Sequence, residues 1–133
     1  MRTLVIGIDS GTQSTKALVF DADRGRVVGT GAVRYGLLPG LPPGAKEQHP
    51  HTWRSAATKA VRQALGEAKA AAAEVKALGV SGQQHGFVPL DAKDEVIRPA
   101  KLWCDTVTAP ECDEITAALG GPAAAVRALG NAV

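Results

Sequence analysis

Trp53, Ala56, Ala57, Ala60, Val61, Ala64, Leu65 and Ala68 recur at i, i+3, i+4, i+7 and i+8, while Arg54, Ser55, Thr58, Lys59, Arg62, Gln63 and Glu67 fill the opposite side. That is the period of an amphipathic helix, and its flanks constrain the fold further. Before it, residues 3–9 (TLVIGID) are apolar on both faces, as a central strand should be. After it, residues 75–81 form a second β-type run, ended by Gly82. A helix between two strands is a crossover, so this second run is expected to lie parallel to an earlier strand.

The rest of the chain fills in around this unit. Ala17-Leu18-Val19-Phe20 is a short apolar run, residues 21–25 are a turn cluster, and residues 26–35 make a third strand. Three strands on short turns predict an antiparallel meander ahead of the crossover. Residues 36–44 hold three prolines and three glycines and read as loop. The alanines of residues 70–73 read as the end of the long helix. Residues 87–90 and 96–98 suggest a hairpin turning at residues 91–94. Residues 110–119 and 122–129 look helical, with Gly120-Gly121 as the break. The class is α/β.

A chain of 133 residues fits one domain and buries roughly two-thirds of its unfolded surface. Fifteen basic against thirteen acidic residues leave +2, and Lys and Arg form no cluster, which argues against a nucleic-acid partner. The first apolar run stops at Asp9, far short of the roughly 20 residues a membrane helix needs. Cys104 and Cys112 are the only cysteines; their spacing matches no common zinc site or disulfide framework, so a cytoplasmic protein with reduced thiols is expected.

Residues 9–16, DSGTQSTK, end one strand and lead into the next. Gly11 allows a tight turn in which its amide and those of Thr12 and Gln13 converge on an anion. Thr12 and Ser14 add hydroxyls, Lys16 a positive charge, and Asp9 a carboxylate suited to holding Mg²⁺ through water. The same residues also suit a plain hairpin turn. A P-loop is excluded, since G-x-x-x-x-G-K-[ST] is absent and a strand follows. Gly29-Thr30-Gly31 resembles the start of a dinucleotide fingerprint, but Val33-Arg34-Tyr35 continues a strand.

A second polar loop, Gln83-Gln84-His85-Gly86, follows the expected parallel strand. If that strand runs beside residues 4–8, both loops leave one edge of the sheet, where ligands of open α/β sheets bind. Asp9 and His85 are then expected in one shared cleft. Amide and imidazole groups suit several sugar hydroxyls; a structural loop with a locally packed His85 is the alternative. Asp105 either binds a hydroxyl or caps the helix beginning near Pro110. His49, His51 and His85 are too scattered in sequence to argue for a metal site.

Four segments in this order, GIDSGTQSTK (7–16), EQHPHTW (47–53), LGVSGQQHG (78–86) and RPAKLWCDT (98–106), resemble the FGGY family of carbohydrate kinases, and within it the xylulokinases. The likeness runs through nearly the whole chain. It implies an actin-like ATPase fold of the ribonuclease H type, with ATP and Mg²⁺ as cofactors and γ-phosphate transfer to a ketose, D-xylulose in that branch, or to a related ketose, gluconate or a polyol. By resemblance Asp9 lies near metal and phosphates, Gly11, Thr12, Gln13, Ser14 and Lys16 form the first phosphate motif, and Gln84 and His85 contact sugar. Glycerol kinases carry an Arg-Glu pair there instead.

Two departures stand out. Val107 replaces an arginine common in the family, removing a cation from the cleft. Family members are several times longer, so residues 1–133 correspond to the N-terminal part of the first domain. The family's catalytic base, second phosphate motif and adenosine pocket would fall outside them, as would the second ATPase domain. A non-catalytic actin-like module that binds nucleotide, sugar or protein is the rival reading. Apolar surface left uncovered would favour self-association into a homo-oligomer.

Overall fold

The computed structural model describes residues 2–133. Its core is a four-stranded sheet in the order β3-β2-β1-β5, built from β1 (Leu4–Ser10), β2 (Ser14–Asp21), β3 (Arg26–Arg34) and β5 (Val75–Gly82). The first three strands are antiparallel, while β5 pairs parallel to β1, matching Asp9 with Ser81 and Ser10 with Gly82. The crossover is the helix α1 (Pro50–Glu67). Meander, crossover and parallel strand therefore follow the sequence expectation.

The helix starts earlier than its apolar period indicates. His49 is the N-cap, its Nδ1 accepting from the His51 amide at 3.4 Å, and Pro50 takes the first helical position, where its missing amide costs nothing. The alanines of residues 70–73 do not extend the helix. α1 ends at Glu67, and Ala72–Glu74 form a separate 3₁₀ turn. Lys69 sits at φ +48°, a left-handed value that ends the helical run.

Side-chain alternation puts Leu4 and Ile6 of β1 and Ala17 and Val19 of β2 on the face beneath α1, where they meet Ala60, Ala64 and Ala68. On β3 the same face presents Gly29 and Gly31. A Cβ on Gly31 would fall 2.1 Å from the Ala60 carbonyl oxygen, and one on Gly29 2.2 Å from that of Ala64. The Gly-x-Gly pair is thus a seat for the helix backbone. α1 also protects the sheet edge: Glu67 accepts from the Thr30 amide at 2.7 Å and Gln63 from the Ala32 amide at 3.0 Å, donors that an edge strand otherwise exposes.

α1 lies over β2 and β3 and barely reaches β1. Leu78 and Val80 of β5 consequently stay 54% and 67% exposed. A second, two-stranded sheet pairs β4 (Glu47–Gln48) with β6 (Ala100–Lys101). The expected hairpin around residues 91–94 is a pair of isolated bridges, Leu90 with Val96 and Phe87 with Lys101. Asp91 accepts from the Lys93 and Glu95 amides to close its turn. Helices α2 (Ala109–Ala118) and α3 (Pro122–Leu129) complete the chain.

Arg2 ties the start of β1 to the crossover, donating to both Glu74 carboxylate oxygens at 3.1 and 3.0 Å and to the Ala68 carbonyl. The two Arg2 bonds to its oxygens, with one from the Ala71 amide, hold the Glu74 carboxyl down at about 2. A carboxylate with a depressed folded pKa stabilises above its unfolded value and loses that contribution as pH falls through the folded one. Thermal melts are therefore expected to weaken from about pH 4.5 downwards to about 2. Glu74→Gln should flatten that part of the profile; an unchanged slope would mean other carboxylates govern it.

Candidate functional site

The β1–β2 turn is tighter than its sequence indicates. Only residues 11–13 lie outside the strands, because Ser14 and Thr15 already belong to β2. The Gly11 amide donates to the Ser14 carbonyl at 3.0 Å, so it closes the turn and is not free for an anion. Gly11 is also outside the left-handed region, and a Cβ there would meet the Ser14 oxygen at an ordinary 3.5 Å. The amides of Thr12 and Gln13 remain for a ligand.

Strand register places the chemistry on two faces. Asp9 pairs with Lys16, and Ser14 with Arg34, all on the face turned away from α1. With Gly11, Thr12, Gln13, Tyr35, Lys46, Trp103 and Cys104 they line a cleft of about 1140 Å³. Three cations, Lys16, Arg34 and Lys46, thus surround one exposed carboxylate, and among the described residues none of these four side chains is in an ion pair. An anion-binding cleft needs that excess. Arg34 and Lys46 were not evident as site residues, since their membership depends on strand pairing and on β4.

The second hollow, of about 280 Å³, is lined by Ser10, Trp53, Gly82, Gln83, His85, Gly86 and Val88. Asp9 and His85 therefore share a sheet edge, but not a single cavity. Successive residues of a strand point to opposite faces, so Asp9 lines the first cleft and Ser10 the second. His85 is exposed and held at φ +58°, an uncommon conformation for a residue with a side chain. Gln84 is exposed and outside both linings.

The two cavities are joined by hydrogen bonds. The Gln83 amide donates to the Ser10 carbonyl at 2.9 Å, and the Thr12 hydroxyl donates to Gln83 Oε1 at 3.1 Å while accepting from Trp103 Nε1 at 3.2 Å. Gln83, adjacent to the expected Gln84-His85 pair, is the residue that links the loops.

Asp105 is not the helix cap: Thr108 occupies the N-cap of α2, without a side-chain bond. Its carboxylate, 4% exposed, accepts from the Lys46 amide at 2.8 Å, the Val107 amide at 3.1 Å and Lys101 Nζ at 3.3 Å. Burial pushes this carboxyl up, but those donors outweigh it and leave it below the ordinary aspartate value. Asp105 lines neither cavity; it fixes Lys46 and the turn after Trp103. His49 and His51 stack at 4.8 Å, and the described residues hold no group of three metal-ligating side chains. Both cysteines are free and half-buried, and no described helix is long and apolar enough to cross a membrane.

Residues 4–131 match the N-terminal domain of the FGGY family of carbohydrate kinases. The chain belongs to that family. The FGGY chain is 44% identical over 131 residues to a xylulose kinase of Haemophilus influenzae, covering 96% of this chain and 26% of that protein. It is 42% identical over 128 residues to one of Streptomyces coelicolor, covering 96% and 25%. Among solved structures, a xylulose kinase from Bifidobacterium adolescentis superposes with a TM-score of 0.72 at 42% identity, covering 90% of this chain and 21% of the other. A gluconate kinase from Lactobacillus acidophilus gives 0.82 at 22% identity over 96% and 25%, a likeness of fold alone. The FGGY chain spans about a quarter of the length of these curated relatives, and its α/β fold is the actin-like one of the family's sugar kinases.

Proposed function

We propose that this chain, residues 1–133, is the N-terminal part of the first domain of an ATP-dependent ketose kinase. The reaction is γ-phosphate transfer to D-xylulose, giving D-xylulose 5-phosphate. The observation that carries the reading is the Asp9–Ser81 register of β1 and β5, which sets a cation-rich cleft and a small hollow side by side at the carboxyl ends of parallel strands. Such an edge is where α/β sheets bind ligands.

In this reading Lys16 and Arg34 take phosphate charge, with the Thr12 and Gln13 amides and the Ser14 hydroxyl as neutral donors. The donor set fits Mg²⁺ accompanying a nucleotide: Asp9 is exposed and faces the cleft, and Mg²⁺ characteristically uses one or two carboxylates, keeping its waters and phosphate oxygens. Bound there, the ion would neutralise phosphate charge. His85, with Gln84 beside it, offers hydrogen bonds to sugar hydroxyls, and the Trp53 ring walls the hollow. Asp105 serves by holding Lys46 in place. Among the described residues no carboxylate lines the hollow, so the chain alone is expected to release no ADP.

The two tryptophans, Trp53 and Trp103, make the test direct, since one lines each cavity. Titration with D-xylulose, L-ribulose, glycerol and gluconate should quench fluorescence at the lowest concentration for D-xylulose. Asp9→Asn should weaken Mg-ATP binding about tenfold or more, the scale of one lost charge-assisted contact, and leave D-xylulose affinity unchanged. Equal affinity for D-xylulose and glycerol would sink the substrate assignment.

A further inference from the structure

Gln48 is 1% exposed, and with Leu4, Val19, Thr15 and Asp21 it is one of the largest fully buried side chains. A buried primary amide brings two donors and two acceptor sites that need partners. All four are met here, from four different segments. Nε2 donates to the Thr12 carbonyl at 2.7 Å and the Gly36 carbonyl at 3.1 Å. Oε1 accepts from Trp53 Nε1 at 2.8 Å and from Gln83 Nε2 at 3.4 Å. The amide orientation follows from the partners, because two carbonyls require donors and an indole N–H requires an acceptor.

The partners divide by cavity. Nε2 grips the phosphate turn and the loop leaving β3, and Oε1 grips the wall and loop of the small hollow. We propose that Gln48 is a positioning residue that sets the phosphate turn and the sugar loop at a fixed separation, each held by its own half of one amide. Resting on the kinase reading, this assigns Gln48 the geometry of transfer, where an ångström of misplacement costs rate steeply. Strand β5 lies largely uncovered, with Leu78 and Val80 open, so apart from Gln48 the loop after it is held by the Gln83 amide on Ser10, the Thr12–Gln83 hydrogen bond and the Phe87–Lys101 bridge.

The test is hydrogen exchange in the whole chain, read at three amides that lie in these loops: Gly11 (to Ser14), Tyr35 (to Gln13) and Gln83 (to Ser10). Gln48→Leu should speed all three about tenfold beyond any change in the β1–β2 ladder, the scale of an unsatisfied buried polar group. Gln48→Glu keeps the acceptor for Trp53 and Gln83 but turns a carboxylate oxygen on the Thr12 and Gly36 carbonyls. It should release Gly11 and Tyr35 about tenfold while Gln83 stays within threefold. Wild-type exchange in both variants overturns the proposal. So does acceleration of ladder and loops by one common factor, and so does an unfolded Gln48→Leu accompanied by wild-type exchange in Gln48→Glu. In a parallel arm, Gln48→Glu should weaken Mg-ATP about tenfold and D-xylulose less than threefold; equal losses of both ligands overturn the division of labour. Failure of the wild-type chain to bind either ligand overturns the kinase reading instead, while the exchange arm still decides on Gln48.

Discussion

Gly31→Val is expected to abolish folding, and Gly31→Ala to lower the melting temperature by about 10 °C. A Cβ at residue 31 stands 2.1 Å from the Ala60 carbonyl oxygen and 2.8 Å from the Gln63 Cβ, well inside any contact that can be accommodated. The obstacle is helix backbone, which cannot rotate out of the way as a side chain does. α1 must lift, opening the seam that buries Ala60, Ala64, Val19 and Leu4. Overpacking costs about 1–3 kcal/mol and sometimes more, against a total stability of about 5–15 kcal/mol, and about 3 kcal/mol corresponds to roughly 10 °C in a domain of this size. Valine adds two further methyl groups to the same clash. Gly79→Ala is the control, because a Cβ there meets nothing within 4 Å. Equal melting of Gly31→Ala and Gly79→Ala would show that the helix sits farther from β3.

Glu47→Ala is expected to cost about 2–3 kcal/mol and to loosen the cleft wall that carries Lys46 and Trp103. The Glu47 side chain is 12% exposed and pairs with Arg98 and, at 3.6 Å, with Lys101; Lys101 in turn reaches Asp105 at 3.3 Å. Removing one partner of a buried pair costs about 3–5 kcal/mol. The 46% exposure of Arg98 lets water replace part of the interaction and lowers that figure. Glu47→Gln keeps the shape without the charge and should restore part of the loss. Melting followed by far-UV dichroism gives the stability, and Trp103 fluorescence reports the cleft. A variant with wild-type melting and emission would remove the charge cluster from the account of how β4 and β6 are held.

Parts of this molecule are legible before any folding is considered. The 3.6-residue alternation from Trp53 to Ala68 declares a helix, and the two-sided apolar run before Asp9 declares a central strand, because both periods are local consequences of backbone geometry. The helical crossover then makes β5 parallel to an earlier strand. The polar loops after residues 8 and 81 therefore had to leave the same edge. The family resemblance reached the same arrangement through its motifs.

Other features depend on partners distant in sequence. Gly29-Thr30-Gly31 reads as an accidental fingerprint until Ala60 and Ala64 are laid across it. Asp105 looks like a cap or a ligand until the Lys46 amide, 59 residues away in sequence, takes its carboxylate. Arg34 reaches the cleft beside Asp9 and Lys16 only through its pairing with Ser14, and Gln48 is an ordinary polar residue until burial forces every one of its hydrogen bonds to be made within the protein. Sequence by itself determined the meander, the crossover helix and the sheet edge that the two polar loops share, since these follow from periodicity and connection along the chain. Tertiary structure alone decided that the edge holds a cleft and a separate hollow, that Asp9 and His85 line different ones, and that the Asp105 carboxylate is taken up by the Lys46 amide. Those outcomes turn on which face each residue takes and on what meets it there, and neither is carried by local sequence.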